Sequence, residues 1–218
     1  MLLRPPPVFP GFRRESFEVF AIRDREERRR AIIDAFHPVL RLVADDLKPL
    51  LDEGPRGAFH AHLPQLNWPK GYVPFCTWLA FSRIPHGYQA SPQLNVGIHA
   101  DHVSPRLAWD VTADAFGRFE FLCRHGGLGA LPAEAAATGK LRFRVYAAAP
   151  WPVGSRCVLA SATDWQGAFD EVARRGVWWE LGRLWELPAS FEAIGRPAWS
   201  DDVRDVFETL KPLYDRVE

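Results

Sequence analysis

The sequence predicts an α+β fold: a mainly antiparallel sheet with flanking helices, an N-terminal and a C-terminal helix packed on it, in one domain over residues 1–218. Three observations predict it. Consecutive strand-like stretches run from Phe75 to Val111, two of them alternating apolar and polar residues as half-buried strands do. Before them, Ala31 to Leu51 places Ile32, Phe36, Val39, Leu40, Val43, Leu47 and Leu50 near helical spacing. At the other end, Val203, Val206, Phe207, Leu210 and Tyr214 form one face of a second helix, with Ser200 as its cap and Asp201 and Asp202 in its first turn.

The central stretch is the most specific. Phe75–Ser82 is apolar at nearly every position, which suits a strand covered on both faces, between Pro74 and Pro85. In Gln93–His99, Leu94, Val96 and Ile98 fall on one face and Gln93, Asn95 and His99 on the other. Val103, Leu107, Trp109 and Val111 continue the apolar face against His102, Ser104, Arg106 and Asp110, and Ala100-Asp101 reads as a hairpin turn. A two-residue turn sets His99 opposite His102, Gly97 opposite Ser104 and Asn95 opposite Arg106. Directly opposed residues share a side of the sheet. One face therefore collects Gln93, Asn95, His99, His102, Ser104 and Arg106. Pro105 has no N–H to give, so this strand is expected to be bulged or at an edge there.

The remaining elements follow in chain order. Residues 1–10 are proline-rich and predict an extended arm. Ser16 to Phe20 fits a helical turn that brings Phe17 and Phe20 inward. Arg23–Arg30 holds five arginines with Asp24, Glu26 and Glu27, the pattern of a solvated helix start. Pro38, Pro49 and Pro212 are expected to start, bend or end their helices. His60-Ala61-His62 puts two imidazoles on one side of a strand. Asp114 to Phe121 reads as a short helix or an irregular segment. Arg124-His125-Gly126-Gly127-Leu128-Gly129 is a flexible connection without the endings of a phosphate loop. Leu141–Ala147 alternates, Cys157–Ala162 is a short apolar strand, Thr163 or Asp164 caps a helix ending at Gly176, and Val177–Leu187 is a strand interrupted by Glu180, Arg183 and Glu186.

Composition excludes several classes. Hydrophobic residues make up 47%, with nine Trp and fifteen Phe, so a core is available. Lys+Arg and Asp+Glu number 27 each, which removes any global attraction to nucleic acid or an anionic membrane. Cys76, Cys123 and Cys157 form no C-x-x-C pair, and reduced thiols in a cytoplasmic protein are expected. No stretch has the length of a membrane span, so no membrane partner is expected.

A family resemblance rests on the order of short segments: Pro10-Gly11-Phe12, Phe17-Glu18-Val19-Phe20, the charged helix, Thr77-Trp78-Leu79-Ala80-Phe81, Gly87-Tyr88, Gln93-Leu94-Asn95-Val96-Gly97 and Asp101-His102-Val103. Together they resemble the YktB-like family of bacterial domains of unknown function (DUF1054, UPF0637), over the N-terminal half. The resemblance implies an α+β fold with an antiparallel sheet and flanking helices, and no established activity, cofactor or catalytic residue.

Function is sought on the polar sheet face. Asn95, His99, His102 and Arg106, joined by Arg142, Arg144 and Tyr146 if those lie in the same phase, combine a planar cation with hydrogen-bonding side chains. His86 and Tyr88, in the turn-rich connection before Gln93, are placed with them. The expected function is binding of a small anionic or phosphorylated ligand, with no cofactor. Three other readings stay open: a single-stranded nucleic-acid binder using Tyr146, Trp178 and the arginines; a metal-dependent hydrolase using His99, Asp101 and His102 with His60 or His62; and a protein-interaction module using Trp68, Tyr72, Trp151 and Trp199. No nucleophile elbow, Walker sequence or zinc-protease motif is present, and enzyme status and oligomeric state stay open.

Overall fold

A computed structural model describes residues 8–67, 70, 72–110, 114–125, 142–147, 158–160 and 176–218. A 3-10 helix at Arg14–Ala21 leads into α1 (Arg25–Asp52). Then come β1 (His60–His62), β2 (Cys76–Ser82), a short 3-10 helix at Tyr88–Ala90, β3 (Gln93–His99), β4 (His102–Asp110) and α2 (Asp114–Arg124). The rest of the described chain holds β5 (Arg142–Ala147), β6 (Val158–Ala160), β7 (Gly176–Gly182), β8 (Trp185–Glu186), α3 (Phe191–Ile194) and α4 (Trp199–Val217). The described strands form one antiparallel sheet in the order β1-β2-β3-β4-β7-β5-β6, with β8 also against β4. The fold is α+β, as the sequence predicts.

α1 begins where Asp24 accepts a hydrogen bond from the Glu27 amide at 2.8 Å. Its buried stripe is Ile32, Phe36, Leu40, Val43, Leu47 and Leu51, a run of three- and four-residue steps. It runs through both Pro38 and Pro49, so neither proline ends it. α4 likewise continues through Pro212, and buries Val203, Val206, Phe207, Leu210, Leu213 and Tyr214. Ser200 does not cap it. The helix starts one residue earlier, at Trp199, and Ser200 Oγ donates to the Pro197 carbonyl at 3.2 Å from inside the first turn.

Both long helices cover one face of the sheet, on which Leu79, Phe81, Leu94, Val96, Ile98, Val103, Leu107, Trp109 and Leu181 are fully buried. Fully burying one such side chain is worth about 1.5–3 kcal/mol, so this layer supplies much of the driving force. An aromatic group extends it beneath the N-terminal segment. Phe9, Phe12, Phe17, Phe20 and Phe36 pack with Trp199 at centroid separations of 5–6.5 Å, offset or edge-on, as ring quadrupoles favour. Phe9 thus anchors the end of the expected arm, whose residues 1–7 lie outside the described residues.

The central hairpin pairs as a two-residue turn requires: Asn95 opposite Arg106, Gly97 opposite Ser104 and Ile98 opposite Val103. Two expectations need correction. β4 is an interior strand, not an edge. Pro105 is tolerated there because its partner changes at that point: β7 pairs with Arg106–Asp110, β8 with His102 and Val103, and the Pro105 carbonyl accepts from the Arg183 amide at 3.0 Å. For the same reason Val177–Leu187 is not one strand: the chain leaves the ladder at Arg183 and rejoins it at Trp185. The glycine-rich connection over 126–129 and the expected helix over 164–175 lie outside the described residues.

Candidate functional site: the polar face of the sheet

The face turned away from α1 and α4 is also buried, but it is polar. Antiparallel register builds it in rows. Ser82, Gln93, Ala108, Glu180 and Arg144 follow one another across β2, β3, β4, β7 and β5 in one row; His62, Ala80, Asn95, Arg106, Gly182 and Arg142 span β1 to β5 in the next. A third row holds Trp78, Gly97 and Ser104, and a fourth Cys76, His99, His102 and Glu186. Tyr146 lies opposite Trp178, in line with Asp110.

Arg106 is the centre of this face and is 6% exposed. Its Nε lies 2.9 Å from Glu180 Oε1, and Nη1 donates to Ser104 Oγ at 2.6 Å. The Nε–H is not aligned for a hydrogen bond to the carboxylate, so that contact is coulombic. The guanidinium can approach β3 because position 97 has no side chain: a Cβ on Gly97 would meet Nη1 at 2.4 Å. Gly182 serves the backbone in the same way, since a Cβ there would lie 2.2 Å from the Pro105 carbonyl oxygen. Beside the arginine, Asn95 Nδ2 donates to Gln93 Oε1 at 3.3 Å. Gln93 Nε2 and Asn95 Oδ1 have no hydrogen-bond partner among the described residues, although the two side chains are only 1% and 2% exposed. Turning both amides over leaves the same result: one donor and one acceptor of the pair stay open. Leaving each such group unsatisfied costs about 1–3 kcal/mol.

Towards the β1 edge the face becomes aromatic. Trp78 Nε1 donates to the Tyr88 hydroxyl at 3.0 Å, and the Tyr88 ring stacks on His62 at 4.2 Å. Burial raises the Tyr88 pKa. Burial also lowers that of His62, whose bond to the Ile84 carbonyl opposes the shift while His60 and His86 reinforce it. His86 itself is exposed on the turn, near His62 and away from the Arg106 group. At the opposite end, His99 and His102 stack at 4.1 Å with ring planes 13° apart, and His102 Nδ1 lies 2.7 Å from Asp101 Oδ1. Cys76, next to them in register, is free, and burial pushes its pKa up to about 12, so its thiol is inert.

The sequence places Asn95, His99, His102, Arg106 and Tyr88 on this face or against it, and the register adds Arg142, Arg144 and Tyr146 as backbone positions. It does not pair Arg106 with Glu180. The only sequence signal was a carboxylate interrupting an apolar strand, because the β4–β7 contact joins segments about seventy residues apart. No group of three or more His, Cys, Asp or Glu able to hold a metal occurs among the described residues. The nitrogen lone pairs of the stacked His99 and His102 lie in nearly parallel planes and do not converge on one ion. Trp199, expected to contribute to an exposed aromatic patch, is fully buried at the head of α4, and Trp68 and Trp151 lie outside the described residues. No helix among the described residues is long and apolar enough to cross a membrane.

Fold and site define an α+β protein with one apolar and one polar buried sheet face. Residues 12–110 match the model of the DUF1054 family, described as a domain of unknown function. Curated relatives carry the name UPF0637 protein. The one from Exiguobacterium sibiricum is 32% identical over 98 residues, 45% of this chain and 48% of that protein. The one from Shouchella clausii is 31% identical over 100 residues, 46% of this chain and 47% of its own length, and one from Bacillus mycoides 31% over 91 residues, 42% and 44%. The matched segment thus spans about half the length of these relatives. It ends at the last residue of β4, so it contains His86, Tyr88, Gln93, Asn95, His99, His102 and Arg106 and omits Arg142, Arg144, Tyr146 and Glu180.

Proposed function

We propose that the polar sheet face binds a small anionic ligand, a phosphorylated metabolite being the class that fits best. The observation that carries this reading is the open donor and acceptor of the buried Gln93–Asn95 pair beside Arg106. A polar group buried without a partner is destabilising, and a ligand that supplies the partner recovers that cost on binding. By register, the positions of Arg106, Arg142 and Arg144 share the face with those of Glu180, Asp110 and Glu186, so cationic and anionic positions are equal in number. Arg106 is largely neutralised by Glu180, so its part is to orient the ligand, with the remaining cationic positions providing attraction.

Thermal denaturation with a panel of nucleotides and sugar phosphates tests the reading. A ligand at a hundred times its Kd adds about 2.7 kcal/mol and raises Tm by roughly 5–10 °C for a chain of this size. The shift is expected to vanish in an Arg106→Met/Glu180→Leu double variant, which removes both buried charges together. No saturable shift with any member of the panel would contradict the proposal.

A further inference from the structure

The open atoms of Gln93 and Asn95 say more than that a polar group is missing. Both residues sit on one face of β3, two positions apart, so their amides project side by side. Their mutual hydrogen bond of 3.3 Å uses one donor and one acceptor and leaves one of each, whichever way round the amides are placed. An anion that offers acceptors only can pair with the open donor but leaves the open acceptor, Asn95 Oδ1 or its exchanged counterpart at Gln93, without a partner. The complement of such a pair is a neutral group that presents a donor beside an acceptor, and the –NH–C(=O)– edge of a lactam or of an oxo-nucleobase is that group.

Flat surroundings favour a ring. The Trp78 indole belongs to the neighbouring strand on the same face, is held by the Tyr88 hydroxyl, and leads to the stacked pair of Tyr88 and His62. The Arg106 guanidinium packs directly against Gly97, in the row of Trp78. Indole and guanidinium planes both stack on heterocycles.

We propose that the ligand of this face carries a planar heterocycle with an –NH–C(=O)– edge, and that Gln93 and Asn95 read that edge; this rests on the binding reading above and assigns its specificity. Uncharged nucleosides separate the two claims. Titration of the protein with uridine and inosine, with 3-methyluridine and 1-methylinosine, and with inorganic pyrophosphate, followed by ligand-observed NMR or calorimetry, gives three independent answers. Uridine or inosine is expected to bind, and methylation of the edge nitrogen to weaken binding roughly tenfold or more, since it leaves a buried acceptor unpaired. An Asn95→Leu variant, with its fold checked by near-ultraviolet circular dichroism, is expected to lose the same factor for the nucleoside and to lose the discrimination between methylated and unmethylated nucleosides. Should pyrophosphate bind while no nucleoside does, the heterocycle assignment is overturned and the anion reading stands. Equal affinity for methylated and unmethylated nucleosides also overturns it. If pyrophosphate, the phosphorylated panel and the nucleosides all fail, both claims fall together.

Discussion

The two faces of the sheet are buried to similar degrees by chemically opposite residues. Under α1 and α4 lie Leu79, Phe81, Val96, Ile98 and Leu107; on the other side of the same strands lie Gln93, Asn95, Ser104, Arg106 and Glu180. An apolar layer of this kind needs only volume and shape to be stable. A polar layer needs every donor and acceptor matched, and here the match is incomplete at Gln93 and Asn95. Folding alone is better served by the first arrangement, because hydrophobic replacements of buried ion pairs are often neutral or stabilising. What the difference teaches is where selection for something other than stability is expected: on the face that is buried, charged and imperfectly paired.

Substitutions can break or sharpen that contrast. The largest single effects are expected on either face, for different reasons. Phe36→Ala leaves a cavity under α1 and should cost about 3–5 kcal/mol in urea denaturation. Glu180→Leu should cost a similar amount, about 3–5 kcal/mol, by stranding the Arg106 charge. The contrast appears in the rescue: Arg106→Met added to Glu180→Leu should recover most of the loss, whereas no second substitution on the polar face should repair Phe36→Ala. A double variant as unstable as Glu180→Leu would show that the ion pair is integral to the fold. Gly97→Ala comes next. It should displace the guanidinium and cost about 1–3 kcal/mol by overpacking, against little or no cost for Gly117→Ala in α2, where an added Cβ meets nothing within 4 Å.

The acid response adds a smaller effect from the apolar side. His37, buried on α1, bonds Thr77 Oγ1 at 3.1 Å, and burial, reinforced by Arg41, lowers its pKa. The unfolded chain then takes up a proton below about pH 6.5 that the native state resists, so stability is complete above that pH and falls as pH drops below it. Asp215 acts in a separate window. Its carboxyl is held below the ordinary range because hydrogen bonds and charge from Arg83 and Lys211 outweigh burial, and its contribution is lost only on further acidification below about pH 4. A His37→Gln variant should flatten the stability profile as pH falls below about 6.5, without altering the more acidic limb set by carboxylates. Smallest of all, Asp46→Ala, which removes the partly exposed Arg204–Asp46 pair, should change stability by less than about 1 kcal/mol.

Most of the fold was legible because its signals are local. The stripe from Ile32 to Leu51 gives α1, and alternation with a two-residue turn fixes the β3–β4 register down to Asn95 opposite Arg106. The misreadings arise where a distant segment decides. Pro105 looks like an edge residue until the gap between β7 and β8 is seen beside it, and Trp199 looks like an exposed loop aromatic until Phe9, Phe12 and Trp185 close around it. The candidate site divides in the same way. The phase of β3 and β4 put Asn95, His99, His102 and Arg106 on one face, while the carboxylate that neutralises Arg106 comes from β7, which no local pattern pairs with β4. That neutralisation matters for chemistry: it turns a presumed free cation into an orienting group and shifts attention to the two amides.

One comparison tests the central claim most directly: wild type against a Gln93→Leu/Asn95→Leu double variant, each measured for urea stability and for the ligand-induced rise in Tm. If the amide pair serves binding, the variant keeps its stability to within about 1 kcal/mol, since both open groups are removed together, and its thermal response to the ligand disappears. A variant that is several kcal/mol less stable, or one that responds to the ligand as the wild type does, would show that the polar face belongs to the architecture and that binding lies elsewhere.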